Sequence, residues 1–107
     1  MLGNTSNIEG KVFSEEKFEV FKKILSAGEK IDKHNHPDYS VIFTVVEGKM
    51  KVVLGDDEEH ILEPGKILKF DGENYIQALA LENSQIFVTL IKKYRLNSRL
   101  LLRDLLP

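Results

Sequence analysis

The chain has no cysteine. That removes disulfides, thiolate metal sites and cysteine nucleophiles together, leaving oxygen and imidazole as the metal-capable donors, and it fits a reducing cytoplasm. Basic charge is not in excess either: 15 Lys and Arg stand against 17 Asp and Glu, a formal charge of −2. No field of the kind that draws phosphate backbones or anionic lipid is expected, so neither nucleic acid nor a membrane surface is an expected partner. No apolar run approaches the roughly 20 residues a spanning helix needs, and the opening ten residues lack the basic start and apolar stretch of a signal peptide. We therefore expect a soluble cytoplasmic protein, and 107 residues leave room for one domain.

What is present reads as strand. From Ser40 to Lys93, short apolar or alternating runs are broken by turn chemistry at Glu47-Gly48, Gly55-Asp56-Asp57, Pro64-Gly65, Asp71-Gly72 and Asn83-Ser84. Val41 to Val46 is β-branched enough to suggest burial on both faces. Met50, Val52 and Leu54 alternate with Lys49, Lys51 and Val53, as a strand with one face inward does. Gln85 to Lys92 is a long run rich in β-branched residues and is expected at the centre of a sheet. Phe18 to Leu25 fits both a helical stripe capped by Ser14 and a period-two strand. In the tail, Ser98 could cap a short helix bearing Leu100, Leu101, Leu102, Leu105 and Leu106.

The sharpest local signal is His34-Asn35-His36. Residues two apart on a strand share a face, so the two imidazoles would stand side by side and could chelate Zn, Ni, Fe or Mn. A firm site wants three or more protein ligands. His60 follows the acidic run Asp56 to Glu59 and reads as solvated. That run reads as a hairpin tip, because the side-chain spacing of a calcium loop is missing. Ser40 near His36 has neither an orienting third residue nor an oxyanion motif, which sets hydrolysis aside.

Gly28, five residues, His34, one residue, His36, four residues, Val41, six residues and Gly48 together resemble the first motif of the cupin superfamily. Pro64-Gly65 resembles the opening of its second motif. The resemblance covers residues 17 to 92 and implies an all-β, double-stranded β-helix (jelly-roll) barrel over about 11–93, with a tail or short helix over 94–107. It also implies that Phe18 to Leu25 is a strand. Metal-holding cupins carry a glutamate where this chain has Val41 and a third histidine where it has Ile76. The second motif's proline falls on Asp71 and its later glycine on Glu73. Half of the implied ligand set has thus become aliphatic, leaving His34 and His36 as the metal candidates.

With those positions apolar, the barrel mouth becomes a pocket lined by His34, His36, Val41, Phe43, Ile76 and Ala78. Apolar walls with a few convergent polar groups suit a small molecule. Gln77 is turned away from this face by strand alternation. A small-molecule-binding module is the first expectation. A metal-dependent enzyme of dioxygenase or isomerase/epimerase type, using the histidine pair, is the second. A structural or assembly protein without ligand is the third. A homodimer is expected through an outer barrel face, with the tail leucines helping to cover it.

Overall fold

The computed structural model describes residues 2–93, and the expected tail helix lies outside them. Nine strands run in chain order: β1 (Gly10–Ser14), β2 (Phe18–Leu25), β3 (Lys30–His34), β4 (Tyr39–Glu47), β5 (Met50–Leu54), β6 (Glu58–Leu62), β7 (Ile67–Asp71), β8 (Ile76–Ala80) and β9 (Ser84–Lys92). They form two antiparallel sheets, one ordered β1-β2-β9-β4-β7 and the other β3-β8-β5-β6. Among the described residues there is no helix. The disputed segment Phe18–Leu25 is a strand, paired residue for residue with β9. A lone short run is ambiguous, but eight cross-strand partners on β9, itself rich in β-branched residues, decide it. β9 lies between β2 and β4, in the centre of the larger sheet as its composition predicts.

Period-two alternation builds the core. Val41, Phe43 and Val45 of β4 point inward with Ile86 and Leu90 of β9, facing Met50, Val52 and Leu54 of β5 and Ile76, Ala78 and Ala80 of β8. Fully burying a side chain such as Phe43 or Ile86 contributes roughly 1.5–3 kcal/mol. The expectation that Val41–Val46 is buried on both faces is corrected. Ile42 and Thr44 are half-buried, and a bulge between Val45 and Glu47 leaves Val46 46% exposed on the outer face. Among the described residues, no second layer covers that side of the sheet.

Two glycines hold the sheets in place. Gly48, between β4 and β5, has φ +87°, and a Cβ there would fall 2.3 Å from the Asn83 carbonyl oxygen and 2.2 Å from Ser84 Oγ. The space is taken by a clamp in which the buried Ser84 Oγ accepts from Lys49 N at 3.1 Å and donates to the Glu82 carbonyl at 2.8 Å. Gly72, beyond β7, is the other, and its role belongs to the site. The acidic run stands at the tip of the β5–β6 hairpin, as expected, with Asp56 and Asp57 in the turn and Glu58 and Glu59 opening β6. Lys33 and Lys51 lie near Asp56 and Glu59. His60 is not simply solvated: it is half-buried and its Nε2 lies 2.7 Å from Glu58 Oε2.

Candidate functional site: a cavity between the sheets

β3 carries a bulge that sets the site. Ile31 pairs with Ala78 and His34 with Ile76, so three steps on β3 span two on β8. Ile31 and His34, which strict alternation would place on opposite faces, therefore both line the same cavity. His36 reaches it by another route. The strand ends at His34, so the expected strand spacing of the two histidines is corrected: His36 sits in the following loop, where Pro37 favours a turn. Tyr39 N donates to the His36 carbonyl at 3.0 Å and closes that turn. The imidazole rings meet edge to face with centroids 4.8 Å apart.

Gly72 fixes the loop from below. His36 N donates to the Gly72 carbonyl and Gly72 N to the Tyr39 carbonyl, both at 2.8 Å. This approach requires the absence of a side chain, because a Cβ on Gly72 would lie 2.1 Å from the His36 oxygen and 2.5 Å from that of Tyr39. The Gly72 turn is itself held by Asp71, which accepts from Glu73 N at 2.9 Å and from the Lys93 ammonium. Those contacts, Lys93 foremost, keep the Asp71 carboxyl below its usual range. Asn35, between the histidines, donates to the Glu73 carbonyl at 3.4 Å.

The histidines differ chemically. His34 Nδ1 lies 2.6 Å from the Asp32 carbonyl oxygen. A carbonyl can only accept, so Nδ1 carries the proton and Nε2 of the neutral ring keeps a lone pair for another group. Burial, and secondarily the neighbouring His34, holds the His36 imidazole below its ordinary value. The folded protein therefore takes up a proton at His36 less readily than the unfolded chain does. Its stabilising contribution is fully present above about pH 6.5, the ordinary imidazole value, and is lost as pH falls from there through the depressed folded value. Thermal melts from pH 7.5 to 5 should show that decline, and His36→Gln should flatten it. An unchanged slope in the variant would assign the decline to other groups.

The cavity has a volume of about 260 Å³. Five of the six residues named from sequence line it: His34, His36, Val41, Phe43 and Ile76. Ala78 does not. It is buried in the core, in register with Ile31 and Val52. Phe21, Phe70, Val88 and Leu90 complete the apolar lining, with Gly10 on the edge strand β1 and Lys22 and Lys23 on β2 beside it. Sequence reasoning missed these because the pairing of β2 with β9, not any motif, brings Phe21 opposite Val88. The alternation of Phe21, Lys23 and Leu25 on one face of β2 was the available signal.

A metal does not fit this donor set. The carboxylate and third-imidazole positions implied by the resemblance hold Val41 and Ile76, 1% and 4% exposed. Among the described residues, no group of three or more His, Asp or Glu side chains converges as a resident ion requires. Two imidazoles without a carboxylate leave a divalent charge uncompensated against apolar walls.

Comparison with known proteins places the fold. Comparison with curated proteins found no match. The chain is similar in structure to KdgF from Halomonas, with 22% identity, 78% of this chain and 76% of that one covered, and a TM-score of 0.71. A Desulfovibrio desulfuricans RmlC-like cupin protein is 20% identical over 78% of this chain and 80% of its own, with a TM-score of 0.72. An RmlC-like cupin family protein with a double-stranded β-helix fold, from Methanocaldococcus jannaschii, is 21% identical over 86% and 85%, with a TM-score of 0.69. At these identities the likeness is one of fold. The cupin domain family model matches residues 22–75, from β2 to the threshold of β8 and across both histidines. With half its length matched by that model and two antiparallel sheets closed as a double-stranded β-helix, the chain belongs to the cupin family.

Proposed function

We propose that this cupin domain binds a small organic molecule in the cavity between its sheets, without a resident metal. One observation carries the reading: a cavity of about 260 Å³ persists where the metal ligands would stand, walled by apolar side chains and furnished with two imidazoles. Its size lies near the lower end of small-molecule sites, so the ligand is compact. His34 Nε2, held as an acceptor by the Asp32 carbonyl, would orient a hydroxyl or amide donor on it. The test is a thermal-shift screen of small metabolites on metal-stripped protein, repeated with Val88→Trp, which fills the cavity from β9. Compounds binding in the cavity raise the melting temperature of the wild type and not of the variant. A screen in which only added metal stabilises the protein would favour the alternative of a metal-dependent enzyme.

The outer face of the larger sheet supports a second element of the proposal, a homodimer. Ile24, Val46, Ile67 and Ile91 are 39–61% exposed there, flanking half-buried Ile42 and Phe87. Five strands at about 4.8 Å spacing and eight residues at about 3.3 Å make a face of roughly 600 Å², close to one partner's share of a standard interface. A second copy presenting the same face would cover it symmetrically. The leucines expected to help cover it lie outside the described residues. Sedimentation should give a dimer that Ile24→Glu with Ile91→Glu converts to monomer while the melting profile stays cooperative. A wild-type monomer at high concentration would contradict this.

A further inference from the structure

The charged residues at the cavity are of one sign. Its lining includes Lys22 and Lys23 and no Asp or Glu. Alternation separates the two lysines. Lys22 follows Phe21 onto the outer face, where its Nζ donates to the Asn7 carbonyl at 3.2 Å. Lys23 shares the inward row of β2 with Phe21 and Leu25, and its partner on β9 is Ile86, a fully buried core residue. A lysine on a core-facing row is unusual, because an ammonium gains nothing from apolar neighbours. The next cation along that face, Lys11, is already neutralised by Glu19 at 3.0 Å. Lys23 has no ion pair among the described residues and is solvent-exposed at the cavity mouth.

We propose that the cavity selects a compact, largely apolar molecule bearing a single carboxylate, its anionic end held by Lys23 and its body against Phe21, Ile31 and Val88. This rests on the ligand-binding reading above and adds the ligand's charge. The polarity of the site then runs in one direction: a cation at the mouth, apolar walls, and the His34 lone pair within. An ammonium-bearing ligand would find no carboxylate in the lining. A neutral one would fill the cavity and leave Lys23 unused.

The experiment titrates phenylacetate, phenylacetamide and phenethylamine into the protein and follows cavity resonances by NMR. These probes share a ring and differ in charge. The expected order places phenylacetate about fivefold tighter than the amide, the size of a solvent-exposed charge pair, with the amine weakest. Lys23→Gln should reduce the preference for carboxylate over amide to less than twofold, while Lys51→Gln, on the other sheet and outside the cavity lining, should leave it intact. Raising salt should narrow the same gap. If amide and carboxylate bind the cavity equally, or the preference survives Lys23→Gln, the charge assignment is overturned and the cavity remains a ligand site. If none of the three perturbs a cavity resonance, both the assignment and the ligand-binding reading fail.

Discussion

Replacing Gly72 by alanine should destabilise the barrel by about 3 kcal/mol and displace His36 from the cavity. The added Cβ would meet two backbone carbonyl oxygens, 2.1 and 2.5 Å away. Neither is the loose end of a flexible side chain. Both belong to the His36–Tyr39 turn, which Gly72 grips through two hydrogen bonds of 2.8 Å. Relief requires the turn and strand β7 to separate, breaking those bonds and leaving buried backbone groups unpaired. For a domain of this size the melting temperature should fall by roughly 10 °C or more. The His36 imidazole resonances should move toward those of an exposed histidine. Gly65→Ala offers the comparison, since a Cβ there meets nothing within 4 Å although φ is +91°. Gly72 itself has no positive φ, so a loss there no larger than at Gly65 would show that the close approach is relieved cheaply and does not set the cost.

Val41→Glu combined with Ile76→His should turn a protein indifferent to divalent metal into one stabilised by it. Without metal, a carboxylate at a position only 1% exposed and a polar ring at one 4% exposed should destabilise the fold by about 3–5 kcal/mol. The neighbouring imidazoles can accept part of that charge only by protonating, which burial opposes at His36. Adding Zn or Ni supplies the missing cation to three imidazoles and a carboxylate. At a thousandfold excess over the dissociation constant this returns about 4 kcal/mol. Melting curves with and without metal, on wild type and double variant, check both halves. Stoichiometric tight metal in the wild type would contradict the reading of Val41 and Ile76 as lost ligand positions.

Much of the barrel was legible because its determinants are local. Alternation at Met50, Val52 and Leu54 predicts an inward face, and all three are buried. Glycine and acidic turns mark the hairpins. β1 has no comparable signal: Gly10–Ser14 is mostly exposed and exists as a strand through its pairing with β2. The site was legible only in part, for the same reason. Val41, Phe43 and Ile76 follow from alternation and motif position. Phe21, Ile31, Val88 and Lys23 come to the cavity through register and through the β3 bulge, which joins residues distant in sequence. The bulge also undoes the simplest inference about the histidines. They share the cavity because Pro37 and Gly72 fold His36 back to it, not because a strand places them two residues apart.

The ligand-binding account is tested most directly by mapping where a compound from the screen binds to metal-stripped protein. Methyl, aromatic and imidazole resonances would be followed by NMR through a titration with the strongest stabiliser. The account predicts that shifts concentrate on Phe21, Ile31, His34, Ile76 and Val88, with His34 retaining its Nδ1 proton, and that the outer-face residues Ile24, Ile67 and Ile91 stay still. Shifts confined to the outer face, or appearing only after divalent metal is added back, would contradict it.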